Sequence, residues 1–283
     1  MAVLQLDIYS RALNTSVNVY VTLPLPDPDD SILGLENHYL EPGEKYQTLW
    51  LLHGKMADQT YWLRFSNVER YAQAKKLAVV MPAAGNSFYT DLAYGRNYFT
   101  FITEELPAIL STVLPLSRRR EDNFIAGFSM GGAGAFMAAL RHPERYAAAA
   151  SLSGALRGGF HTQMRAPSGK MEDRSEQLKY LYGPGYENYD PEIHDLYRVA
   201  ERAAEASKKL PQFYIACGTE DGLYDENVKM RDLMARLGYS VDFEDGPGGH
   251  IWDFWDTYIR RVIEKWLPLA GTPVKEKEKP LDR

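Results

Sequence analysis

The chain has 283 residues, of which 45% are hydrophobic and 25% charged, and its net charge is −6. Those values suit one large α/β domain, or one domain with a small insertion, and argue against a nucleic-acid surface. A single cysteine, Cys217, excludes an intramolecular disulfide framework and a cysteine metal cluster.

Residues 3–9 and 16–23 alternate apolar with polar side chains and read as an antiparallel pair turning near Leu13-Asn14. A polar, proline-containing loop follows, to about residue 45, and is expected to be a solvated excursion or an oligomer contact. Residues 48–52 are continuously apolar, as a central parallel strand would be, and break at His53-Gly54. Helical spacing then spans 61–75. A second buried strand covers 77–81, and a Gly-, Asn- and Tyr-rich loop (84–97) leads to a helix over 98–114. After the strand at 123–126, the helix over 133–140 stops at His142-Pro143, and a further strand spans 146–153.

Residues 154–210 interrupt this rhythm. They carry tyrosines 180, 182, 186, 189 and 197 and are expected to form a small cap at the carboxyl end of the sheet. The sheet resumes at 212–217. A helix over 227–237 closes at Gly238, a last strand spans 240–243, and a final helix covers 251–267. Residues 271–283 read as a disordered tail. The repeated strand–helix units specify an α/β fold, with an open, mainly parallel sheet covered on both faces. No run approaches the roughly 18 apolar residues of a membrane span, and residues 1–14 lack a basic-then-apolar leader pattern. The expectation is therefore a cytoplasmic protein with no membrane association.

The stretch from Ala126 to Gly132 organises the rest. Gly127-Phe128-Ser129-Met130-Gly131 lies between a strand and a helix and has the form of a nucleophile elbow. A turn that sharp leaves no room for a Cβ two residues before or after the serine. The four glycines 127, 131, 132 and 134 could also mimic a phosphate-binding turn, but the dinucleotide spacing and its acidic partner are not convincing here.

A serine hydroxyl needs a base, and the base needs an orienting acid. In this setting the order along the chain is Ser, then Asp or Glu, then His. His250 alone among the six histidines also follows a strand-end acid, in the glycine-rich loop 246–250. Asp221, directly after the Cys217 strand, is the favoured acid; Glu220 and Asp225 are rivals. His38, His53, His142, His161 and His194 read as loop, turn, helix-end and cap residues. Two N–H donors are expected for a developing oxyanion. One is that of Met130. The other comes from the loop after Leu52, with Lys55 favoured and Met56 the alternative. Gly54 and the Tyr94 loop are expected to face substrate. No metal and no cofactor is called for.

Leu51-Leu52-His53-Gly54, Thr90-Asp91-Leu92-Ala93-Tyr94-Gly95, Gly127-Phe128-Ser129-Met130-Gly131-Gly132, Cys217-Gly218-Thr219-Glu220-Asp221 and Gly248-Gly249-His250-Ile251-Trp252-Asp253-Phe254-Trp255-Asp256 occur in this order. Together they resemble the tributyrin esterase branch of the esterase D family of α/β hydrolases, over residues 6–267. The resemblance implies carboxylesterase activity on small-molecule esters with short acyl chains, no cofactor, and a triad at Ser129, Asp221 and His250. It also implies a dimer or tetramer. S-formylglutathione hydrolases and feruloyl or acetyl polysaccharide esterases belong to the same family and are the alternative activities. Lys55-Met56, where small or apolar residues are usual, and the long 24–45 loop depart from the family pattern.

Overall fold

The computed structural model describes residues 1–26, 28–34, 39–206 and 209–275. Eight strands form the main sheet: β1 (Ala2–Ser10), β2 (Thr15–Leu23), β3 (Gln47–Leu52), β4 (Leu77–Pro82), β5 (Asn123–Phe128), β6 (Ala148–Leu152), β7 (Gln212–Gly218) and β8 (Val241–Gly246). Their spatial order is β1-β2-β4-β3-β5-β6-β7-β8. The first two make an antiparallel hairpin, and β2 joins β4 antiparallel. All later neighbours are parallel, so the structure is the α/β fold that the strand–helix rhythm specifies.

Each central strand is apolar on both sides because both faces are covered. Leu49 and Leu51 pack with Phe124, Ala126, Trp255 and Ile259 on one face. Trp50 and Leu52 pack with Ile125, Phe136 and Met230 on the other. A period of two along β3 thus feeds two separate cores, and each fully buried Leu or Phe contributes roughly 1.5–3 kcal/mol. From β3 the chain steps out to β4 and then returns to the far side of β3 as β5. The carboxyl ends of β3 and β5 therefore flank a switch in winding direction, where open α/β sheets leave a crevice.

Several elements differ from the pattern-based reading. The helix expected over 61–75 is two, Tyr61–Phe65 and Val68–Ala74, broken where Ser66 is extended. The helix expected over 98–114 contains a wide π-turn, Phe101–Glu105, just before Pro107, a residue with no N–H to return to the preceding turn. Leu196–Ala206 buries Leu196, Val199 and Ala200 in the main core and packs beside Met130–Arg141. That helix thus packs with the layer on the sheet. Of the expected tail, Val274–Lys275 pair antiparallel with Glu44–Lys45. Residues 276–283, and His38 in the long loop, lie outside the described residues. No helix among the described residues is long and apolar enough to cross a membrane.

Candidate active site

Ser129 sits at the tip of the turn between β5 and the helix Met130–Arg141, with φ 55° and ψ −119°. That left-handed conformation is costly for a residue with a Cβ, and the surroundings enforce it. Its N–H donates to Leu152 O at 2.9 Å, and its carbonyl accepts from Gly132, Ala133 and Ala155 N–H. A Cβ at Gly127 would come within 2.5 Å of the Gly131 backbone, and one at Gly131 within 2.5 Å of Leu52 O. Glycine is the residue that fits at both positions.

The acid and the base arrive on the next two strand ends. Asp221 follows β7, and its buried carboxylate uses both oxygens. Oδ1 accepts from Leu223 N–H at 2.9 Å, and Oδ2 lies 2.8 Å from His250 Nδ1. That contact puts the proton on Nδ1 and leaves Nε2 as an acceptor. Trp255 meets the His250 ring edge-on, with centroids 4.9 Å apart, and limits how it can turn. Gly222 N–H donates to Pro167 O at 3.0 Å, which ties the acid loop to the cap. Glu220 and Asp225 are exposed and take no part in this arrangement.

Ser129 and His250 line one cavity of about 950 Å³, together with Lys55, Met56, Phe88, Phe128, Trp252 and Trp255. Cap residues Arg157, Arg165, Glu172 and Arg174 complete the wall. The volume is at the upper end of the range for small-molecule sites, and much of the lining is aromatic. Among the described residues no hydrogen bond joins Ser129 Oγ to His250, a separation common before substrate tightens such a site.

The loop after β3 is pinned by His53. Its buried Nε2 accepts from Ala84 N–H at 3.0 Å, so Nδ1 carries the proton and donates to Gly54 O at 2.8 Å. Burial holds its pKa below the ordinary histidine value, consistent with a neutral ring. Met56 N–H is spent on Asn86 Oδ1 at 2.8 Å. The N–H groups of Lys55 and Met130 have no acceptor among the described residues. Burial first, and then the Arg174 charge, lower the Lys55 pKa.

Two residues expected to face substrate, Tyr94 and Gly54, are not part of this cavity wall. Tyr94 is 74% exposed and lies outside the cavity wall; Phe88, earlier in the same loop, lines it instead. Gly54 is also absent from the wall. A Cβ there would meet the Phe128 ring at 2.3 Å, so its glycine answers to packing. Sequence reasoning missed Asn86, Phe88, Arg174 and the wall formed by Phe128, Trp252 and Trp255. The aromatic composition of residues 251–255, and the placing of the 84–97 loop and the cap near the site, were the only hints of them.

A mainly parallel sheet with a strained serine on its central elbow defines the chain as a serine hydrolase of the α/β-hydrolase type. It belongs to the Esterase family, described as "Putative esterase", whose sequence model matches residues 10–257; it is a carboxylic ester hydrolase. An acetyl esterase from Caldicellulosiruptor saccharolyticus is 29% identical over 275 residues, covering 94% of this chain and 98% of the relative. Among solved structures, the fluorophosphonate-binding serine hydrolase FphF of Staphylococcus aureus has a TM-score of 0.78 at 32% identity, covering 94% of this chain and 98% of that one. An S-formylglutathione hydrolase (FrmB) from Staphylococcus aureus has a TM-score of 0.76 at 31% identity, with the same coverage of 94% and 98%.

Proposed function

We propose that the chain is a serine carboxylesterase for short acyl chains, acting through an acyl-enzyme on Ser129. The observation that carries this reading is the 2.8 Å contact of buried Asp221 with His250, in the cavity that also holds the strained serine. Ser129 Oγ attacks the ester carbonyl while His250 Nε2 takes its proton. Asp221 keeps the imidazole in the right tautomer and stabilises the imidazolium. The N–H groups of Met130 and Lys55 hold the oxyanion, each contributing roughly 3 kcal/mol to the transition state. His250 then protonates the leaving alcohol, and water releases the acid by the reverse sequence. The acetyl esterase relative supports a short acyl group. The likeness to an S-formylglutathione hydrolase favours thioesters as the second reading.

Hydrolysis of p-nitrophenyl esters from acetate to octanoate, by wild type and Ser129→Ala, tests this directly. Activity should peak between acetate and butyrate and fall by on the order of 10⁴–10⁶ in the variant. Activity that survives Ser129→Ala, or that peaks at octanoate, would overturn it. Rates on S-formylglutathione far above those on simple esters would select the thioester reading.

A further inference from the structure

Two cavities meet beside the nucleophile. The larger contains Ser129 and His250; a smaller one, of about 130 Å³, lies beneath the cap. Phe88, Ala155, Arg157 and Arg174 line both. Ala155 N–H donates to Ser129 O at 3.2 Å, so this shared wall adjoins the elbow. A dry cavity of about 150 Å³ holds a benzene-sized molecule. The smaller chamber therefore suits a group of about six heavy atoms.

The polar groups of the shared wall are mostly donors. Arg157 is neutralised by an ion pair with Glu226. Arg174 is not. Its Nε donates to Gln177 Oε1 at 2.6 Å, Nη1 faces Met164 Sδ at 3.8 Å, and its Cζ lies 4.9 Å from the Phe88 ring centroid. Gln177 also lines the smaller chamber, and its bond from Arg174 fixes the amide so that Nε2 is the other end. That Nε2 is buried and has no acceptor among the described residues. A buried donor of this kind calls for one. Lys55 and Arg165, on the larger cavity, also have no carboxylate within ion-pair distance among the described residues. Glu172 is the one acid in that wall, and its single charge acts on both Lys55 and Arg174. The chain as a whole carries −6, so this concentration of positive charge is local.

We propose that the enzyme acts on esters that carry a carboxylate, seated on Arg174 and Gln177 at the wall between the two cavities. Lys55 and Arg165 draw the anion in from the exposed side. The bond broken is still the ester C–O bond, so this inference rests on the esterase reading and narrows its substrate class. An oxygen anion satisfies both the unpaired guanidinium N–H groups and the orphaned amide, which an acyl methyl group does not.

Matched ester pairs test it, with background hydrolysis subtracted. Mono-4-nitrophenyl glutarate against 4-nitrophenyl valerate places the charge on the acyl side. 3-Acetoxybenzoate against phenyl acetate places it on the leaving side. In the wild type, kcat/KM for one anionic ester should exceed that of its neutral partner by roughly ten- to a hundredfold, the effect of one charge-assisted contact. Arg174→Gln should reduce that ratio at least about tenfold, mainly through the KM of the anionic ester. Gln177→Leu should reduce it less, and Arg174→Lys should retain part of it. The pair that shows the preference assigns the chamber to the acyl or the alcohol side. Ratios near one for both pairs, or a preference unchanged in Arg174→Gln and Gln177→Leu, would overturn the proposal while leaving the esterase reading in place. Failure to hydrolyse any of the four esters would overturn both.

Discussion

At Ser129 a left-handed backbone, φ 55°, lifts one hydroxyl above the sheet, and neighbouring residues bear the cost. Gly131 is the clearest case, because a Cβ there would lie 2.5 Å from Leu52 O and 2.7 Å from His53 O. Both are backbone atoms of the strand and loop that present the Lys55 N–H. Gly131→Ala should therefore lower stability by roughly 2–4 kcal/mol and reduce turnover more than that loss of folded protein explains. Denaturant midpoints measured beside kcat would show it; a variant of wild-type stability and rate would contradict the packing argument. The glycines of the elbow were legible in the sequence because a sharp strand-to-helix turn constrains residues close along the chain. Gly54 was not, since the Phe128 ring that crowds it lies 74 residues away.

Strands were easier to read than helices. A buried parallel strand is a continuous apolar run, and 48–52, 77–81 and 212–217 each announce themselves that way. Helix interruptions at Ser66-Asn67 and at Phe101–Glu105 leave the spacing of apolar residues almost unchanged, so periodicity alone passes over them. The break in rhythm after residue 153 was legible, whereas the packing of Leu196–Ala206 in the helical layer over the sheet was not. Besides the Gly222–Pro167 hydrogen bond, the cap is tied to the body by the ion pair between Arg157 and Glu226, on the helix that follows the Asp221 loop. Burial, then the Arg174 charge, lower the Arg157 pKa to about 10, so its charge is already poorly solvated. Glu226→Gln would leave that charge without its partner and should cost about 1–3 kcal/mol. Limited proteolysis should then cut faster within 157–195 than elsewhere. Equal cleavage rates in wild type and variant would show that the pair does not hold the cap.

Across the whole molecule, His53, His142 and His194 all have pKa values lowered chiefly by burial. The sign follows from linkage. As pH falls through about 6.5 the unfolded chain takes up protons that the native state refuses, so stability drops on acidification and is fully present above that pH. For deeply buried His53 the slope is at most about 1.4 kcal/mol per pH unit, until the native ring protonates in turn. Melting temperature should accordingly fall between pH 7 and pH 5.5, and fall less steeply in His53→Asn. Parallel slopes in the two proteins would rule out His53 as a source of the acid sensitivity.

The chain by itself determined the sheet, the elbow, and which strand ends carry serine, acid and histidine. Those depend on local constraints: apolar runs long enough to be buried on both faces, glycines required by one tight turn, and the order of the loops. Only the tertiary structure decided that Asp221 meets His250, that Met56 N–H is already taken by Asn86, and that Tyr94 stays outside while Arg174 turns inward. Each of those outcomes depends on the direction of a side chain against a partner distant in sequence. Packing sets that direction, and no spacing along the chain records it.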